Sequence, residues 1–134
     1  MKNTDNLNPT KMKSVSKFYD DETRHKLYRK EFNKLRRICK TLDDDQKKVA
    51  LPLCENLAFC VVMLKELREI INRDGYSEVY VNGKNQTGIK RTVASDLLIA
   101  IQKNYAMLLK QFKDLLPSTI QLDDMDAWER ANSI

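Results

Sequence analysis

From Leu42 to Asp74 the chain carries no glycine, and apolar residues recur at helical spacing along it: Val49, Leu53, Leu57, Cys60, Leu64, Leu67 and Ile71. Residues three and four apart share a helix face, so this period commits the stretch to one long helix. The helix is expected to begin near Thr41 to Asp45. There TLDDD offers a capping side chain and acids suited to the positive end of the helix dipole. Gly75, after Asn72-Arg73-Asp74, is the expected stop. Pro52 predicts a kink, or a break into two helices, around residues 48–52. Phe59, Val62, Met63 and Ile70 lie on other sides of the helix. A helix apolar nearly all round must be covered all round. In a chain of 134 residues that points to burial against other subunits, with Leu57, Phe59, Val62, Met63 and Ile70 as candidate oligomerisation residues.

A second long helix is expected from about Val93 to Leu116, capped by Thr92 or Ser95 and stopped by Pro117. Leu97, Ile101, Tyr105, Leu108, Phe112 and Leu115 form its apolar stripe. Two long helices of similar length, joined by a compact connection, pack as an antiparallel pair. The connection holds Glu78-Val79-Tyr80-Val81, which alternates like a strand and runs into Asn82-Gly83, a strong hairpin-turn signal. A return strand over about Gln86 to Lys90 completes a short β-hairpin at about 78–90. A lone hairpin is marginal in water, so it should pack on the helices or pair with a neighbouring subunit.

Charge is unevenly spread along the chain, whose net charge is +5. Residues 1–41 hold 12 Lys/Arg against 5 Asp/Glu, residues 42–116 hold 11 against 10, and residues 117–134 hold 1 against 4. Residues 1–16 are polar and without periodicity and read as a flexible basic arm. Residues 17–41 read as a basic amphipathic helix. Leu27, Tyr28, Phe32, Leu35, Ile38, Cys39 and Leu42 share one arc. Lys26, Arg29, Lys30, Lys34, Arg36, Arg37 and Lys40 fill the opposite one, with Asn33 among them and no acid. Such a face suits an anion such as nucleic acid; a merely solvated helix face is the plain alternative. The region 42–117 is then a central helical hairpin. Residues 118–134 form an acidic tail in which Leu122, Met125 and Trp128 make one apolar edge of a short helix, a candidate partner-binding edge. The fold class is mainly α: a long antiparallel helix pair joined by a short β-hairpin, with an N-terminal basic helix.

Gly83-Lys84-Asn85-Gln86-Thr87-Gly88 resembles a phosphate loop, but Ile89 stands where that motif needs lysine and Lys90 where it needs a hydroxyl. No βαβ alternation surrounds it. The hairpin reading is preferred, with Lys84, Lys90 and Arg91 at its tip and exit as phosphate or subunit contacts; a polar connector is the alternative. Cys39, Cys54 and Cys60 lack the close pairing of zinc sites and read as buried helical thiols. One histidine, no Ser/His/Asp set and no metal-spaced acids leave no catalytic residue, metal or cofactor to name. No apolar run is long enough to span a membrane, and the N-terminus has no secretory core, so a cytoplasmic location is expected.

The segments DDDQKKVALPLCENLAFCVVMLKELREIINRDGY, VYVNGKNQTGIKR and VASDLLIAIQKNYAMLLKQFKDLLP, in that order, resemble a phage terminase small subunit over about residues 41–120. The resemblance implies a non-catalytic, DNA-recognising part of a viral genome-packaging motor, at work in the host cell cytoplasm. It implies a homo-oligomeric ring that binds the packaging start site on double-stranded DNA. It also implies recruitment or regulation of a large subunit carrying ATPase and nuclease activities. A reading from another class is a helical protein-interaction adaptor acting mainly through its acidic tail, without direct DNA recognition.

Overall fold

A computed structural model describes residues 17–132 apart from the side chain of Leu122; the basic arm expected over residues 1–16 lies outside the described residues. Helix α1 spans Asp21–Ile38 and continues into a 3-10 turn, Cys39–Thr41. Its N-cap is Asp20, whose carboxylate accepts from Thr23 N at 2.7 Å. Asp21 and Glu22 stand in the first turn and Arg36 and Arg37 in the last, the charge order the helix dipole favours. Helix α2, Asp44–Asp74, opens with a capping box. Gln46 N donates to Asp43 Oδ1 at 2.7 Å, and Asp43 N donates to Gln46 Oε1 at 3.2 Å.

Pro52 does not break α2, which runs unbroken through it. Pro52 and Lys48 both lie on the exposed face of the helix. Water can therefore hydrate the Lys48 carbonyl that the missing N–H leaves without its helical bond.

Strands β1, Ser77–Val81, and β2, Thr87–Arg91, pair antiparallel from Ser77 opposite Arg91 to Val81 opposite Thr87. Asn82 N also donates to Gln86 O at 2.7 Å, which closes the turn over Gly83, Lys84 and Asn85. Gly83 and Asn85 both have positive φ, +76° and +78°, the conformation that glycine and asparagine tolerate best. Helix α3, Val93–Leu115, is capped by Thr92, whose hydroxyl accepts from Ser95 N. The carbonyl of Tyr76 accepts from Thr92 N at 3.1 Å and from Ser95 Oγ at 2.9 Å, so the base of the hairpin is tied to the start of α3.

Past Pro117 the chain stays helical: α4 over Ser118–Ile120, a π-helical turn over Gln121–Met125, and α5 over Asp126–Asn132. Gln121 Nε2 donates to the carbonyls of Lys113 and Leu116 at 2.6 and 2.7 Å, which caps the end of α3 and sets the exit of the tail.

The main core joins all these helical parts. Leu35 and Ile38 of α1 and Leu42 just after its 3-10 turn meet Cys54, Leu57 and Val61 of α2, Phe112 of α3 with Leu116 at its end, and Met125 and Trp128 of the tail. A smaller cluster of Leu67, Ile70 and Ala94 holds the other end of the pair, where the end of α2 meets the start of α3. The two long helices are therefore antiparallel. Cys39, Cys54 and Cys60 are buried free thiols. The Cys39 and Cys54 sulfurs lie 3.5 Å apart, and their shared hydrogen bond, together with burial, pushes the Cys54 thiol up.

These contacts correct the expectation that α2 must be covered by other subunits. Leu57, Val62 and Ile70 are buried within the single chain, at 0%, 2% and 5% exposure. Helix α1, the tail and, around Ile70, the start of α3 provide the covering layers that the pattern of α2 alone could not reveal. Met63 is half-buried and Phe59 remains 54% exposed.

Candidate nucleic-acid interface

The basic arc of α1 faces outward because two buried carboxylates hold the helix by its other side. Glu66 of α2 accepts from Phe18 N at 3.0 Å, Tyr19 N at 2.9 Å, Arg24 Nε at 2.9 Å and Arg24 Nη2 at 2.8 Å. Further along, Glu31 is 2% exposed and accepts from Trp128 Nε1 at 3.1 Å and from Asn132 Nδ2 at 3.2 Å. Lys34 and Lys65 place ammonium groups 3.8 and 4.0 Å from its other oxygen. A carboxylate taken out of water is tolerated only with donors and cations of this kind around it. Neither acid was identified from the pattern alone. The signal lay in the spacing, since Glu31 falls on the stripe of Leu27, Leu35 and Ile38, and Glu66 stands between Val62 and Ile70.

The Arg24 hydrogen bonds, reinforced by the Tyr19 and Phe18 amides and opposed by burial, hold the Glu66 carboxyl down from its ordinary value of 4.5 to about 2. The unfolded chain then binds the proton more readily than the folded one. The stabilisation is complete above about 4.5 and disappears as pH falls through about 2. Glu66→Gln is expected to flatten the fall in stability across that window, read from urea midpoints at stepped pH. Parallel curves for the two proteins would show that the clasp contributes nothing to acid stability.

Of the eight residues on the arc, Lys26, Arg29, Lys30, Arg36, Arg37 and Lys40 are exposed, and Asn33 and Lys34 are half-buried. Lys26 lies 3.2 Å from Glu22, Arg29 Nη2 is 2.6 Å from His25 Nε2, and Arg36 covers the Phe32 ring at 6.0 Å. Lys30, Arg37 and Lys40 make no ion pair among the described residues. Arg37 and Lys40 form a ridge between two grooves. One, of about 290 Å³, reaches α2 and adds Lys47, a cation the arc did not include. The other, of about 440 Å³, lies between Lys34, Arg37 and Lys40 on one wall and Asp124, Ala127 and Ala131 on the other.

The hairpin cations are not part of this surface. Roughly 35 Å of helix, at about 1.5 Å per residue, separates Leu51, beside the ridge, from Asp74 before the hairpin. Lys90 sits 4.0 Å from Glu78 and 5.7 Å from the Tyr80 ring centre, and Arg91 Nε bonds Asp96 at 2.8 Å. Lys84 is exposed at the tip. Gly88 lies under the Tyr80 ring so closely that a Cβ there would stand 2.7 Å from the phenol oxygen. The opposite face of the hairpin presents Val79, Val81 and Ile89, all more than 70% exposed.

The partner-binding edge expected in the tail is corrected. Met125 and Trp128 are 0% and 4% exposed, and both sit in the main core. The Leu122 side chain is outside the described residues. The three-residue spacing of the edge was read from the pattern, but the surface it contacts belongs to the same chain. Among the described residues no group of three His, Cys, Asp or Glu side chains gathers as a metal site, and no helix is long and apolar enough to cross a membrane. Compared with models of protein families, with curated proteins and with solved structures, the chain matches none.

Proposed function

We propose that this chain is the non-catalytic small subunit of a viral DNA-packaging terminase. In this reading it binds the packaging start site on double-stranded DNA as a homo-oligomeric ring, in the host cell cytoplasm, and recruits or regulates the large ATPase and nuclease subunit. The observation that carries the reading is the exposed cationic face of α1, on a helix clamped by Glu31 and Glu66. A charged face on a fixed helix meets a phosphate backbone without the entropy of ordering a loop. The order of helix, polar hairpin and helix supports the terminase part of the reading.

A mobility-shift titration of a DNA duplex across salt tests it. Three to six phosphate contacts are expected to give a log–log slope of about −3 to −5. Affinity that ignores salt would reject the reading.

Oligomer formation draws support from the hairpin, which stands with both faces exposed and three apolar side chains on one of them. A two-stranded hairpin gains little on its own, and such a face is a contact surface rather than a solvated one. Val79→Lys combined with Ile89→Lys is expected to lower the particle mass by light scattering, from a multiple of the chain mass toward a single chain. A wild-type protein that stays monomeric at every concentration would remove the ring from the proposal. The adaptor reading through the tail has less to rest on, because Trp128 and Met125 are occupied by the core.

A further inference from the structure

Arg68, in the last third of α2, is half-buried. Its Nη1 is enclosed by the chain yet has no hydrogen-bond partner, and the guanidinium makes no ion pair among the described residues. Three other arginines are ion-paired, Arg24 to Glu66, Arg73 to Asp74 and Arg91 to Asp96, whereas Arg37, unpaired among the described residues, stands in open solvent. Burial lowers the Arg68 guanidinium below the usual arginine range, though not enough to remove its charge. A partly desolvated cation left without a partner costs stability, and such groups mark binding sites more often than random surface does.

Arg68 lines a groove of about 440 Å³ between α2, α3 and α5. Val61, Leu64 and Leu109 give the groove an apolar lining. Lys65, Gln102 and Tyr105 line the same groove and carry donors. Burial, then the nearby Glu129, pushes the Tyr105 phenol up to about 12, so it keeps its proton and can donate. The carboxylate in the wall, Glu129, has its Oε1 2.9 Å from the Lys113 ammonium, an ion pair without an aligned hydrogen bond.

We propose that this groove is a docking site for an acidic and apolar segment of a partner protein, with one carboxylate of the segment taken by Arg68 and an adjacent aliphatic side chain seated on Val61, Leu64 and Leu109. A guanidinium offers a carboxylate two parallel hydrogen bonds, and the flexible stem of Arg68 allows Nη1 to turn into the groove to make them. The apolar lining selects a protein segment over a phosphodiester strand, whose hydrated anions suit the open cations of α1 instead. The inference goes beyond DNA binding and does not depend on it.

Amide-resolved NMR titration of the full chain with N-acetyl-Leu-Glu-Leu-amide tests the site. Saturable shifts are expected at Arg68, Tyr105 and Asn132, and the matching Gln peptide should give none. Arg68→Met should weaken the Glu peptide at least about tenfold, the loss of a charge-assisted pair. It should also leave the melting temperature unchanged or raised, since the guanidinium it removes has no partner among the described residues. The proposal is overturned if no shift occurs at millimolar peptide, or if the Gln peptide binds as well as the Glu peptide. It is equally overturned if Arg68→Met lowers the melting temperature by several degrees, or if a short DNA duplex shifts these amides and the peptide does not.

Discussion

Reversing Lys30, Arg37 and Lys40 together to Glu is expected to weaken DNA binding by at least about 500-fold near 0.1 M salt, and to flatten its salt dependence. Each phosphate contact contributes about 0.9 to the log–log salt slope, so losing three lowers it by about 2.7. At a salt activity near 0.1 M, the same three contacts are worth roughly that many decades of affinity, and repulsion by the new carboxylates adds to the loss. These three are the decisive choice because they are free of ion pairs within the described chain. Their charge is therefore fully available to an incoming phosphate. Arg37 and Lys40 also form the ridge between the two grooves, where a backbone can touch both walls. All three side chains lie outside the core, so the melting temperature should not move. Reversing Lys90 and Arg91 is expected to cost much less, since Glu78 and Asp96 already partly offset them. Equal losses at the two places would mean that the α1 face has no special role, and an unchanged affinity in the triple variant would remove it altogether.

The second large effect concerns stability. Trp128→Ala is expected to cost about 3–5 kcal/mol, the range for deleting a buried large aromatic side chain. In a chain of this size that corresponds to a fall of roughly 10 °C or more in the melting temperature. Two losses combine. The indole packs in the main core near Tyr105, with ring centres 6.3 Å apart, and its Nε1 is one of the donors to buried Glu31. Removing it opens a cavity and leaves that carboxylate with Asn132 and two distant ammonium groups. Trp128→Phe keeps most of the packing and gives up the N–H, so about 1–2 kcal/mol is the expected cost. Urea unfolding of the three proteins gives both numbers. A tail that merely lay on the surface awaiting a partner would let Trp128→Ala melt with the parent protein.

Much of the secondary structure was legible because it follows from neighbours in the chain. The glycine-free periodic run, the Asp43 to Gln46 capping box, Thr92 before α3 and the strand-like Glu78 to Val81 act over a few residues. The observed elements accordingly begin and end close to where those signals stand. Of the kink or break expected at Pro52, the break does not occur, because the cost of a proline depends on whether the freed carbonyl meets water, and that depends on which face of the helix lies outward. The candidate site was legible as a cluster of charge but not as a surface. The period of α1 separated Lys26 to Lys40 from the apolar arc, yet nothing in it showed that Lys34 leans toward a buried Glu31, or that Lys47 of α2 extends the same cationic region.

The amino-acid order by itself determined a helical chain with a polar hairpin, a basic early helix and an acidic end, because caps, turns and apolar periods are settled within one or two turns of backbone. Only the tertiary structure decided which apolar residues are core and which are surface. A helix apolar on every side carries no direction, and Leu57, Val62 and Ile70 read the same as Phe59 until the rest of the chain comes to rest on them, the start of α3 in the case of Ile70. Trp128 likewise acquires its role from Glu31, 97 residues away in the chain. Arg68 shows the converse. Its charge is ordinary in the sequence, and it becomes a candidate site because packing encloses its Nη1 and, among the described residues, brings no partner to meet it.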